Sequence, residues 1–217
     1  ITVTMPIVIY GRAWQADREL ILRALVLANL ISVHQKKYIG SLSAYCGATS
    51  AATGAACGVA YMMLRQKGEQ ERIYQILCDT ITNSIETLGG MVCDGAKASC
   101  AAKIGLAVEN ALMALELSLA GNVFQPGEGM TMEDPEDTIA AVGRMGRVGM
   151  KSTDVEILNI MLGVSQGSQP LISYHYGQKD RDGCRRLLRQ VVIFFLLSCA
   201  FGGGVLAIGL LGGRGLS

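Results

Sequence analysis

The chain has 217 residues, half of them apolar, yet aromatics make up only 6% while glycine reaches 27. That balance disfavours a β-rich core and favours helices packed closely through small residues. With 19 basic and 18 acidic residues the net charge is +1, so no general pull toward nucleic acid follows.

No Met starts the chain and no secretory signal precedes Ile1 to Tyr10, which reads as the continuation of upstream sequence. Asp17 is placed to cap a helix whose apolar face is Leu20, Ile21, Ala24, Leu27, Ala28 and Ile31, at helical spacing. His34, beside Lys36 and Lys37, is expected near that helix's C-terminus, where cations favour the dipole. Ser43 to Ala60 is almost entirely Ala, Gly, Ser, Thr and Cys, a helix with little bulk whose backbone can come close to a neighbour or a cofactor. Glu69 to Leu88 reads as a further helix with Ile73, Ile76, Leu77, Ile81, Ile85 and Leu88 apolar, interrupted by Gly89 and Gly90.

Asp94 is expected to cap a long Ala-rich helix reaching about Leu119, which puts Cys93 just before the cap and Cys100 two turns inside. Gly121 to Asp134 has loop composition. Short helices are expected at Glu136 to Val142 and Asp154 to Leu162, separated by Gly143, Gly146 and Gly149. No strand alternation of any length follows Tyr10, so the fold class is mostly α. After Leu162 the character changes. Lys179 to Arg189 is basic, and Val191 to Gly213 is a 23-residue run without charge. At about 1.5 Å per residue such a run can span about 30 Å of hydrocarbon, and the five cations before it place that side in the cytoplasm.

Seven cysteines, an odd number on a chain without a signal, fit reduced thiols that are packed or metal-bound better than a disulfide framework. Cys46, Cys93 and Cys100 can converge from a small-residue helix, a loop and a second helix. Three thiolates can hold a [4Fe–4S] cluster and leave one iron open as a Lewis acid. The bland alternative is that they pack as small hydrophobes, and spacing without a C-x-x-C signature favours it. Cys57 and Cys78 are assigned to packing on either reading. Lys97 and Lys103, on a helix, read as a solvated face.

Tyr38-Ile-Gly-Ser-Leu-Ser-Ala-Tyr-Cys46-Gly-Ala, Gly54-Ala-Ala-Cys57-Gly-Val-Ala-Tyr61 and Met91-Val-Cys93-Asp-Gly-Ala-Lys97-Ala-Ser-Cys100-Ala-Ala-Lys103 resemble the L-cysteine desulfidase family. That family is related to the α-subunit of iron–sulfur L-serine dehydratases. Gly146-Arg-Val-Gly-Met150 and Thr153-Asp-Val-Glu-Ile157-Leu resemble its C-terminal end. The resemblance covers residues 1–162 and implies Cys46, Cys93 and Cys100 as ligands of a [4Fe–4S] cluster. It also implies a cytoplasmic lyase that releases pyruvate, ammonia and sulfide or water from L-cysteine or L-serine through an aminoacrylate. The family's long N-terminal half, which supplies the catalytic base, has no counterpart here, so no base is assigned. The chain is expected to be inactive alone and to be completed by a separate N-terminal half or a second copy.

Gly163 to Lys179, followed by the apolar run, resembles multidrug and toxic compound extrusion (MATE) transporters, with 163–217 as a transporter-like fragment fused to the lyase segment. A fragment of such an efflux transporter, anchored by a membrane helix at 191–213, is the alternative reading of function. Gly163-Val-Ser165-Gln-Gly167 also satisfies G-x-S-x-G. That pattern requires a strand, turn and helix with triad partners, and His34 and His175 are the only histidines. It reads as a chance match, and His175, between two tyrosines, as part of a polar turn.

Overall fold

The structure, a computed structural model, describes residues 1–40, 43–95, 97–160, 173–174, 180–193 and 196–197. Its elements are α1 (Thr4–Ala13), α2 (Arg18–Ile39), α3 (Gly47–Lys67), α4 (Ile73–Leu88), α5 (Cys100–Leu119), α6 (Pro135–Arg144) and α7 (Lys151–Ile160). A single 3-10 turn, Gln70–Arg72, precedes α4. The five residues Met145–Gly149 form a π-helical turn after α6. Among the described residues there is no strand, only one isolated antiparallel bridge between Tyr45 and Val92. The β-branched opening of the chain folds as a helix.

The expected caps divide into kept and lost. Asp17, in extended backbone, accepts the Leu20 N–H at 2.7 Å and starts α2. Asp134, not among the expected caps, accepts the Glu136 N–H at 2.7 Å, with Pro135 in the first turn where a missing N–H costs nothing. Asp94, by contrast, does not cap α5. That helix begins at Cys100 behind Ser99, without a side-chain cap. Cys100 is therefore the first residue of the helix rather than a residue two turns inside it, because Asp94 spends its carboxylate on Lys103.

Helix α3 is the axis of the domain. Thirteen of its 21 residues are buried, from Thr49 to Leu64, and α1, α2, α4 and α5 pack around it. Its small residues make this possible. A Cβ added at Gly54 would fall on the Ala28 carbonyl of α2, and one at Gly58 would lie 2.6 Å from Ile7 Cδ1 of α1 and 3.0 Å from the Ala24 carbonyl oxygen. Ile7, Ala24, Ala28, Ala52, Ala56, Val59, Met62 and Leu64 form the core around these crossings.

Where α3, α4 and α5 meet, the interior is polar. Thr53 and Ser84 hydroxyls lie 2.7 Å apart, and Asn110 donates to the Ser84 carbonyl at 3.0 Å. Asn83, fully buried, donates to the Asn122 carbonyl and accepts the Phe124 N–H, both at 3.0 Å, fastening the segment after α5 to α4.

Contacts divide the chain into units at 1–155 and 156–217. In the second, residues 181–193 are helical and Asp180 accepts the Gly183 N–H at 2.9 Å. No helix among the described residues is long and apolar enough to cross a membrane. Most of the expected span at 191–213 lies outside the described residues, as do Gly163 to Gly167 and His175.

Candidate metal centre

The segment before α3 and the segment after α4 run antiparallel for three residues each. The Cys46 N–H donates to the Met91 carbonyl at 2.9 Å, and the Cys93 N–H donates to the Ala44 carbonyl at 2.6 Å. Tyr45 therefore faces Val92, and successive side chains leave on opposite faces. Cys46 and Cys93 form a diagonal pair on one face, within reach of each other. Tyr45 leaves on the other face and is 1% exposed beneath the π-helical turn, where a Cβ on Gly146 would sit 3.1 Å from the Tyr45 Cβ. Ser43 Oγ donates to the Gly146 carbonyl at 2.6 Å from the same side. The glycine motif at 146–150 thus backs the segment that carries Cys46.

The Cys46 and Cys93 thiols act on each other. The pKa of Cys46, buried, is pushed up, first by the neighbouring Cys93 and then by burial. The Cys93 thiol, half-buried, is pulled down first by Cys46, and the Gly95 backbone N–H and the Lys103 ammonium act in the same direction. Cys100, half-buried, opens α5 and turns its thiol back on the loop. Its Sγ donates to the Gly95 carbonyl at 3.1 Å and accepts the Lys97 N–H at 3.5 Å. Gly95 has φ of +93°, a left-handed conformation that glycine accepts freely.

Lys103 joins these parts. Its Nζ donates to the Val92 carbonyl at 2.8 Å and to Asp94 Oδ1 at 2.6 Å, and its charge acts on Cys46, Cys93 and Cys100. The ammonium is held in its charged form chiefly by Asp94, whose carboxyl is in turn pulled down by the same bond. The solvated face expected for Lys103 is thus corrected: the side chain is 29% exposed and tied at two acceptors. Its spacing from Cys100, one helical turn, was the available signal.

Two of the three expected ligands therefore share one face of the bridge, and the third stands on the adjoining turn with a different partner. Among the described residues no three His, Cys, Asp or Glu side chains are close enough to hold a metal ion as they stand. Cys57 lies on α3, fully buried with its sulfur toward the Leu77 carbonyl at 3.9 Å, and is a packing residue as expected. Cys78 is only half-buried and opens, with Tyr74, His34 and Asp134, onto a groove of about 460 Å³ between α2, α4 and α6. His34 sits in the last two turns of α2, but its partner is a carboxylate: Nε2 lies 2.8 Å from Glu136, which the Tyr38 hydroxyl also engages.

The chain matches the serine dehydratase alpha chain family over residues 1–159. It is 43% identical over 162 residues to a UPF0597 protein of Treponema denticola, covering 75% of this chain and 36% of that one. A UPF0597 protein of Lachnoclostridium phytofermentans is 45% identical over 161 residues, 74% of this chain and 37% of the relative. One from Porphyromonas gingivalis is 40% identical over 161 residues, 74% of this chain and 36% of the relative. The chain thus spans a little over a third of the length of these relatives, and the family match ends before the tail at 163–217, lending no support to the transporter resemblance there. No solved structure matches. Most of the chain lies within the family match, and the chain belongs to the serine dehydratase alpha chain family.

Proposed function

We propose that residues 1–159 are the cluster-holding part of a β-eliminating lyase acting on L-cysteine or L-serine, with Cys46, Cys93 and Cys100 as ligands of a [4Fe–4S] cluster. The observation that carries this is the backbone bridge that puts Cys46 and Cys93 on one face, with Cys100 on the adjoining helical turn and one cation acting on all three. The donor set suits the group: thiolates are the soft ligands that iron–sulfur clusters take, and to serve as a ligand Cys100 must give up its bond to the Gly95 carbonyl. Bound through three thiolates, the cluster would supply an open iron as Lewis acid toward the substrate.

The chain's own residues do the rest of the holding. The Ala48 N–H, in the first turn of α3, favours the Cys46 thiolate, and the Gly95 N–H favours that of Cys93. The reaction releases pyruvate and ammonia, with sulfide from L-cysteine or water from L-serine, and needs a base for the α-proton. Lys103 is committed to two acceptors and Asp94 to Lys103, so neither is free to take that proton. The base belongs to sequence outside residues 1–159, in the larger part of the relatives' length or in a partner chain. The expected membrane span at 191–213 forms no part of this proposal.

Anaerobic reconstitution with iron and sulfide tests the reading. About four irons per chain are expected, with absorbance in the visible range. Cys46→Ala, Cys93→Ala and Cys100→Ala should each abolish binding, while Cys57→Ala should keep it. Full iron retention by Cys93→Ala would refute the assignment.

A further inference from the structure

Cys93 sits in an irregular stretch between α4 and α5, and its main chain is tied to the segment before α3 by the N–H bond to the Ala44 carbonyl. The residues on either side of it, Val92 and Asp94, both accept from the same Lys103 ammonium. Lys103 in turn stands three positions after Cys100 on α5, so the two side chains share a helix face. Resting on the reading of the three cysteines as cluster ligands, we propose that Lys103 is a positioning residue that pins Cys93 from both flanks to the turn bearing Cys100. The bridge at Tyr45 and Val92 closes the third side by pairing Cys93 with Cys46.

The bond geometry favours this over an ordinary surface ion pair. The Lys103 and Asp94 side chains are 29% and 41% exposed, and an exposed pair adds little to global stability. A lysine held only by Asp94 would have no reason to reach a main-chain carbonyl eleven positions back as well. Two of its three N–H donors are used in fixing the loop. The remaining charge faces three sulfurs that become anionic when they bind iron, so the residue that shapes the loop also offsets the ligand charge.

The test uses two variants of the full chain, Lys103→Met, which keeps the apolar stem, and Asp94→Asn, which keeps the shape and removes the charge pair. In the reduced, iron-free chain, amide exchange in peptides covering 91–95 should quicken about tenfold in Lys103→Met, the factor set by one charged hydrogen bond. Exchange in α3 and the melting temperature should stay as in the parent. After reconstitution, iron loss to a chelator should quicken in both variants. The double variant should be no worse than Lys103→Met alone, since the two residues act through one contact. Unchanged exchange and unchanged iron retention in both single variants would overturn the proposal, as would additive losses in the double variant. If the parent takes up no iron while exchange at 91–95 still responds to Lys103→Met, the positioning role stands and the cluster reading falls.

Discussion

Replacing Gly58 by alanine measures how tightly α3 is enclosed. The new Cβ would lie 2.6 Å from Ile7 Cδ1 and 3.0 Å from the Ala24 carbonyl oxygen, about 0.8 Å and 0.4 Å inside the 3.4 Å at which ordinary contact begins. Ile7 is fully buried and has no solvent to turn into, and the Ala24 oxygen is backbone, so α1 and α2 must both shift. Overpacking of this kind costs about 1–3 kcal/mol, while alanine's better helix propensity returns up to about 1 kcal/mol. With the full propensity gain the net loss is about 0–2 kcal/mol, or up to about 8 °C in Tm for a chain of this size. Gly105, in α5 with nothing within 4 Å of its added Cβ, is the control. There only the propensity gain applies, and alanine should stabilise by about 0.5–1 kcal/mol. Thermal unfolding followed by far-UV circular dichroism reads both. If Gly58→Ala raises Tm as Gly105→Ala does, the close crossing of α1 and α2 on α3 is wrong.

Asn83→Ala should cost about 1–3 kcal/mol in urea unfolding, because it removes the buried amide that bonds the Phe124 N–H and the Asn122 carbonyl; a loss below the scatter of a surface substitution would contradict the bonded network. Glu136 has a depressed pKa, caused first by the Tyr38 hydroxyl and then by His34. A depressed carboxylate stabilises the fold above its unfolded value, and that contribution goes as pH falls through the folded one. Glu136→Gln should therefore lower Tm modestly at pH 7, with the gap to the parent closing below about pH 4. A gap that persists or widens below about pH 4 would show that the pair does not act as a carboxylate contact.

Local signals were legible in the sequence and non-local ones were not. Asp17 and the apolar face of α2 sit within a few residues of what they bond and bury, so cap and periodicity sufficed. The small-residue stretch announced a closely approached helix, and α3 is one. The Asp94 cap failed for a physical reason: a carboxylate bonds the best available donor, and an ammonium nine positions later outcompetes backbone N–H groups. The polar fastening of Asn83 and the pairing of His34 and Tyr38 with Glu136 join residues about 40 and 100 positions apart, which no window along the chain contains. At the candidate site, the three proposed cysteines come from the motif resemblance. What holds them, the bridge and Lys103, depends on where α4 and α5 bring their ends.

The bridge at Tyr45 and Val92 makes chain length around the cysteines a matter of parity. Because side chains in the paired segments alternate between two faces, one residue inserted between Tyr45 and Cys46 would carry the thiol to the face Tyr45 now occupies, under Gly146. The same insertion between Val92 and Cys93 would turn the second thiol away from the first. An insertion of two would restore the facing but stretch the pair apart along the ladder. These short stretches therefore admit no insertion, and in this part of the fold the counting of residues matters as much as their chemistry.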